Sequence, residues 1–329
     1  MTNDCWQPCI GYAWMLTLAV VFLTYLISDG LVSGIGILSL WIRDQHVLSD
    51  MTASFSGVWH THQTWLVVFA GLFFGSFPAV FGRVLSVLYL PAFLFILGLV
   101  IRGVAIELLE LNESRRIWTF VFALGSIILT LSQAMAVVLT LQIVFYSAFS
   151  RPPASALTAG AFTCGLTMTL IFSYVLFGAV YLIGKTSGDN QALFRIVARK
   201  VAVFLIAAAG CFIVGLSIPQ PQHPVILYTA FGVTLILSLV LLRCLMRGKE
   251  KPLFFPAVGC FIALFTALLS TYPGLFPALA SLPLFVSSAK SQITQLAVFC
   301  LVLPVIIIYH VFQYRVFCGK VDEEDHQNH

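Results

Sequence analysis

"YLISDGLVSGIG", Tyr25–Gly36, lies inside an apolar run that extends from Ile10 to Leu40. A run of that length can cross a bilayer, because about 30 Å of hydrocarbon takes roughly 20 helical residues. Similar runs recur along the chain. Their unbroken apolarity, in place of a period-2 alternation, makes them helices and excludes an outer-membrane barrel. About nine spans can be read: Ile10–Leu40, Trp65–Phe81, Leu85–Ile101, Ile117–Phe145, Leu157–Ile183, Val201–Ile218, Val225–Leu245, Leu253–Leu269 and Gln295–Phe317.

Composition agrees with that reading. Of 329 residues, 60% are hydrophobic and only 9% charged, against roughly 25% charged in soluble globular chains. The expected fold is all-α, a polytopic integral membrane protein of one helical-bundle domain over 1–329, with a polar cytoplasmic tail at 321–329. The first span is too long for a signal-peptide core and lacks both a basic start and a small-residue cleavage pattern. It is expected to remain in the mature protein. The longest interruptions, Trp41–Thr64 and Thr271–Thr294 with Pro273, Pro277 and Pro283, are too short for a second domain. No internal repeat is evident.

Orientation follows from Lys and Arg. The loops after spans 1, 3, 5 and 7, with the C-terminal tail, hold Arg43, Arg102, Arg115, Arg116, Lys185, Arg195, Arg199, Lys200, Arg243, Arg247, Lys249, Lys251, Arg315 and Lys320. The opposite side holds Arg83, Arg151 and Lys290. This asymmetry predicts an outer N-terminus and a cytoplasmic C-terminus. The net charge of +4 is mostly this topological signal, and no nucleic-acid patch stands out.

Five of the eight cysteines, Cys164, Cys211, Cys244, Cys260 and Cys300, sit singly in apolar spans, and Cys318 sits singly beside the tail. Cys5 and Cys9 are four apart on the predicted outer side. One helical turn is poor disulfide geometry, so free thiols are expected there. Metal-binding spacing of the paired CxxC kind does not occur.

Polar residues within or beside the spans carry the functional information, because an ionisable group at mid-helix costs at least about 2.5 to 3.5 kcal/mol. Asp29 is the clearest. Ser33 and Gly36 follow it at i+4 and i+7 on one helical face. Gly30 and Gly34 form a small-xxx-small pair that lets another helix approach closely. Asp29 either faces headgroups at a membrane edge or is held at a helix seam for proton or cation traffic. The apolar stretch Ile35–Leu40 beyond it favours the seam.

The second group is "GVWHTHQTW", Gly57–Trp65, on the same side as Asp29. An imidazole changes charge near neutral pH, so His60 and His62 can hand protons inward. The plainer reading is an interfacial polar cluster between the membrane anchors Trp59 and Trp65. Their i, i+2 spacing points the two rings apart, and haem ligation would want histidines facing each other across paired helices. The third group is "IRGVAIELLE", in which Arg102 and Glu107 end span 3. Their i, i+5 spacing is too wide for a same-face pair, so each is expected to meet a partner on another helix. Asp29 and Glu107 are the candidate counter-charges for a buried Arg102; the alternative is that Arg102 snorkels to water.

Taken together these residues resemble a known family, subunit II of the cytochrome bd-type quinol oxidases. "DGLVSGIGILSLW" is similar to the family's DGFDLGVGxL, and "VWHTHQTWLVVFAGLFFGSFP" to VWxGNxVWLVxxGGxxFxxFP. "LSVLYLPAFLFILGLVIRGVAIE" is similar to FSGxYLPLxLLLxxLILRGVAFE, and "FGAVYLIGKTSG" to LGAxWLxxKTEG. At the end, "TYPGLFP" and "LPVIIIYHVFQYRVFCGKV" resemble YPYxxP and LPxxLxYTxxxYxVFRGKV. The resemblance runs the whole chain in order. Departures mark a divergent member, compatible with the cyanide-insensitive type. Val32 stands where a second acid is usual, His60 where Asp or Glu is usual, and Thr61 and His62 where Gly and Asn are usual. Gln133 matches, whereas Ala134 and Val138 replace glycines, and Leu109 replaces an Arg.

What the resemblance implies is the non-haem subunit of a quinol:oxygen oxidoreductase in the bacterial inner membrane. It binds no cofactor and no metal itself. A partner, subunit I, would hold two b-type haems, one d-type haem and the quinol site, and there is room for a small single-helix subunit beside membrane lipid and quinone. This chain would stabilise that partner and lead protons from the cytoplasm toward the oxygen-reducing haem. Asp29 would be the central relay, with Ser33 beside it and His60 at the mouth of the path. Arg102 and Glu107 would form an electrostatic frame, and Trp59, Gln63 and Trp65 would position the segment. Without the resemblance, the same spans would also suit a secondary transporter using Asp29 as its ion-coupling site.

Overall fold

A computed structural model describes residues 6–111, 115–149, 156–217, 224–248, 253–271, 286–317 and 319–320. Every regular element among them is an α-helix: α1 (Trp6–Ser39), α2 (Gln45–Ser56), α3 (Trp59–Ser76), α4 (Pro78–Val87), α5 (Tyr89–Glu110), α6 (Arg115–Phe149), α7 (Ala156–Lys185), α8 (Gly188–Ser217), α9 (Pro224–Met246), α10 (Phe254–Thr271) and α11 (Ala289–Val316). Cys5, the side chain of Cys9, Cys318, the tail at 321–329 and most of Thr271–Thr294 lie outside the described residues.

Six of these helices are long and apolar enough to cross a membrane, and a seventh crossing is counted if the bent pair α3–α4 is one span. The nine-span reading also included α8 and α10. The first half of α8 carries Asp189, Arg195, Arg199 and Lys200, and the fully described stretch of α10, Phe254–Thr266, is shorter than a full span.

Two sequence expectations are corrected. Trp65–Phe81 is not one straight span: the chain bends by 119° between α3 and α4. Pro78 is the cause. Its ring excludes the helical conformation at the preceding residue, and Phe77 sits at φ −134°, ψ 60°. Pro78 itself has no N–H to leave unpaired and starts α4. The segment Trp41–Thr64, expected as an interruption, contains α2. This helix buries Val47, Leu48, Met51 and Phe55 on one side, a 3.6-residue stripe within a polar-looking stretch.

The chain divides into two compact units. The first comprises Met1–Asp29, Gly57–Tyr89 and Phe276–Gly319, and the second Gly30–Ser56, Leu90–Leu275 and Lys320–His329. In the first, α3 and α11 are stitched by Thr61 Oγ1 donating to Gln313 Oε1 at 2.9 Å. At the other end of the pair, Gln295 Nε2 donates to Leu72 O and Ser76 Oγ, both at 2.9 Å, and Ser287 N donates to Ser76 O at 2.9 Å. The N-terminal part of α1 packs by its rings, Phe22 on Phe69 with centroids 4.7 Å apart and Trp14 on Phe299 at 6.1 Å.

In the second unit the glycines after Asp29 admit α7. A Cβ on Gly34 would overlap the Tyr174 carbonyl, and one on Gly30 would meet the Tyr174 ring at 2.5 Å. Reciprocally, a Cβ on Gly178 would lie 2.7 Å from Ile35 N. Gly34 and Gly178 therefore allow backbone-to-backbone contact and Gly30 makes room for the Tyr174 ring, a close approach of the kind the small-xxx-small spacing predicts. Tyr181 Oη donates to Ser54 O at 2.7 Å and Asn190 Nδ2 to Asp50 Oδ2 at 2.6 Å, so α2 is tied to α7 and α8. Gln191 Nε2 caps carbonyls at the end of α7, donating to Ile183 O at 2.9 Å and Thr186 O at 3.1 Å. The turn between them needs Gly188, whose φ is +55°.

The glycine seam yields a direct test. Gly34→Val should destabilise the protein by about 1–3 kcal/mol or prevent its accumulation through overpacking. Gly71→Ala, where nothing lies within 4 Å of the added atom, should leave the thermal midpoint in detergent unchanged. Equal behaviour of the two variants would contradict the close approach.

Candidate functional site

Asp29 is completely buried. A carboxylate taken out of water must be hydrogen-bonded, and two neutral groups of the first unit supply donors. Gln63 Nε2 donates to Oδ1 at 2.7 Å, and Tyr25 Oη donates to Oδ2 at 3.1 Å. Tyr25 is placed by α1 itself, one turn earlier at i−4. Gln63 is presented by α3 near its N-terminus. A phenol can both give and accept a proton. The trio can therefore hold Asp29 in place while a proton is exchanged at its carboxylate.

In the second unit, Arg102 is also fully buried, at 1% exposure. Its Nη1 donates to Ser33 Oγ at 2.9 Å, so Ser33 and Arg102, both predicted site residues, meet. Gly125 allows α6 against α5 at this level, since a Cβ there would lie 2.7 Å from Arg102 N. Glu107 is exposed, consistent with the wide spacing that separated it from Arg102. A second buried polar pair, Tyr174 Oη donating to Gln133 Oε1 at 2.7 Å, lies on the α7 residue that Gly30 and Gly34 accommodate.

The two histidines of "HTH" diverge as their spacing predicts. His60 is exposed and stacks on Trp59 with centroids 3.8 Å apart. His62 is completely buried, and its Nε2 shares a 2.9 Å hydrogen bond with Tyr314 Oη. Trp65 is buried and meets the His310 ring edge-on at 5.9 Å. Sequence reasoning left Tyr25 and Tyr314 unassigned. The i, i+4 relation of Tyr25 to Asp29 could have revealed the first. Tyr314 is 252 residues from His62, and no local pattern joins them. Among the described residues, no group of three or more His, Cys, Asp and Glu side chains could hold a metal ion.

Comparison with known proteins agrees in length and fold. The family described as cytochrome bd terminal oxidase subunit II matches residues 10–317. A Bacillus subtilis protein, cytochrome bd ubiquinol oxidase subunit 2, is 24% identical, with 95% of this chain and 97% of the relative aligned. The Escherichia coli K12 cytochrome bd-I ubiquinol oxidase subunit 2 is 23% identical over 96% of each chain. A solved chain of bd oxidase from Geobacillus thermodenitrificans superposes with a TM-score of 0.75 at 20% identity, covering 94% of this chain and 98% of that one.

The Ser33–Arg102 contact predicts that Ser33→Ala lowers the thermal midpoint of the purified protein. The loss should correspond to about 1.5–3 kcal/mol, since a hydrogen bond to a buried charge is removed. An unchanged midpoint would mean that Ser33 does not hold the guanidinium.

Proposed function

The chain belongs to the cytochrome bd terminal oxidase subunit II family, and on that footing we propose that it is the non-haem subunit of a quinol:oxygen oxidoreductase that leads cytoplasmic protons toward the oxygen-reducing haem of its partner. The family match over nearly the whole chain supports the assembly role and tells against the transporter reading. One observation carries the proton role: a fully buried carboxylate, Asp29, in an otherwise apolar helix, held by Tyr25 and Gln63. Such a group is expensive in a membrane and is kept where charge or protons must pass.

In this reading the partner, subunit I, holds the b- and d-type haems and the quinol site, and a small single-helix subunit has room to join. The complex sits in the bacterial inner membrane, with this chain crossing it about nine times, N-terminus outside and C-terminus in the cytoplasm. Its two compact units act as one membrane domain. Reduction of oxygen consumes protons at a buried site, so a route of titratable groups from the cytoplasm is required. Asp29 is the relay. His60, exposed beside Trp59, collects protons at the mouth in the place of the usual acid. Gln63, Trp59 and Trp65 position that segment, and Ser33, Arg102 and Glu107 set the charge balance along the route.

Asp29→Asn should slow quinol-driven oxygen consumption by an order of magnitude or more while the haem absorption spectrum is kept, because the amide preserves shape but cannot take up and release a proton as a carboxylate does. Normal turnover would take Asp29 off the path. His60→Asp should retain activity, whereas His60→Leu should not. If both lose activity with assembly intact, His60 has another task.

A further inference from the structure

A group of titratable side chains that the proposed path does not use lies in the first unit, between α3 and α11. His62 is fully buried and hydrogen-bonded through Nε2 to Tyr314 Oη at 2.9 Å. The His310 ring, one helical turn before Tyr314 on the same face of α11, lies 4.9 Å from the Tyr314 ring and 6.2 Å from that of His62. Trp65 closes the group against His310. Buried ring nitrogens usually find partners, yet His310 Nδ1 and Trp65 Nε1 are buried without one among the described residues. Structural packing alone would be served more cheaply by apolar side chains.

Two departures from the family's pattern meet at this place. His62 stands where VWxGNxVW has Asn, and His310 where LPxxLxYTxxxY has Thr, while Tyr314 fills that pattern's last Tyr. The substituted positions are far apart in sequence, and both carry an imidazole to the same phenol.

We propose that His62, Tyr314 and His310 form a second protonatable relay along the α3–α11 seam, additional to Asp29. The relay ends beside Gln63, the next residue after His62 and the donor to Asp29. The transfer balances without any co-reactant. One imidazole takes a proton from water and becomes imidazolium. That proton passes to the Tyr314 oxygen as the phenol's own proton leaves to the other imidazole, and the phenol is neutral before and after. A hydroxyl suits this task because it donates and accepts at one atom. An Asn and a Thr at positions 62 and 310 could hold Tyr314 in place but could not carry the charge.

The relay rests on the reading of this chain as a proton-conducting subunit, and one set of variants separates the two ideas. The complete complex with its haem-bearing partner is reconstituted into vesicles. Proton uptake during quinol oxidation is followed with a pH-indicating dye, and oxygen consumption is compared in H2O and D2O. Tyr314→Phe and His62→Gln should each slow uptake several-fold and raise the solvent isotope effect, with the haem spectrum and the quinol KM unchanged. His62→Gln is the decisive variant, because its amide can still bond to Tyr314. A structural role would be rescued by it and a proton-carrying role would not. His310→Thr combined with His62→Asn should be no slower than the slower single variant if all three groups act as one relay. Wild-type uptake and isotope effect in either Tyr314→Phe or His62→Gln would overturn the relay. If those two are normal while Asp29→Asn is slow, only the relay falls. If they are slow while Asp29→Asn is normal, the relay stands and the path through Asp29 falls.

Discussion

A carboxylate that cannot reach water needs donors brought to it, and the arrangement around Asp29 follows from that requirement. Tyr25 costs nothing extra to place, because α1 brings it there by its own periodicity. Gln63 has to be delivered by a different helix. α3 is in turn held by α11, through Thr61 and Gln313 near one end and Gln295 with Ser76 at the other. The hydrogen bonds of the first unit therefore form a line of dependence, from α11 to α3 and from α3 to one oxygen of Asp29. The partners in this line are neutral amides and hydroxyls. The strength of the site rests on geometry and on the exclusion of water.

Beyond Asp29 the logic changes from polar satisfaction to clearance. Gly30 and Gly36 make room for the side chains of Tyr174 and Ser126, and at Gly34 and Gly178 backbone meets backbone beside Tyr174 and Ile35. Such contacts are a common way for apolar helices to associate in lipid, where no hydrophobic drive acts between them. Buried hydroxyls are accommodated in the same economical way: Ser126 and Thr130 each donate to a carbonyl one turn earlier. Arg102 is the exception, a full charge in this setting, and Ser33 one turn after Asp29 is placed to receive it.

Much of this was legible in the residues. Long apolar runs identified the helices, Asp29 stood out against them, and the glycine spacing announced the close approach of α7 to α1. The i, i+5 separation of Arg102 and Glu107 led each to be expected against another helix; Arg102 does meet Ser33 of α1, whereas Glu107 is exposed. What escaped notice has physical causes. α2 was hidden because a helix buried along one side needs only one apolar stripe, whose residues are not continuous in the sequence. The break at Phe77 was hidden because Pro78 is itself apolar and extends the run while ending the helix. Pairings such as His62 with Tyr314 have no local signature, since they are decided by which helices become neighbours. The identity of the chemistry came from a resemblance of motifs, and spacing alone would have left a transporter equally acceptable.

The first unit is assembled from opposite ends of the polypeptide, and this has a consequence for biosynthesis. Tyr314 is 252 residues beyond His62. At the usual pace of about 5–20 residues per second, α3 waits in the bilayer on the order of tens of seconds before its stitching helix exists. During that interval His62 and Thr61 must be sheltered by lipid headgroups, insertion machinery or provisional neighbours. Completion of the C-terminus is then the event that seals the membrane segment carrying Gln63. A chain that stops short would keep most of its apolar helices but never acquire the finished surroundings of its buried acid.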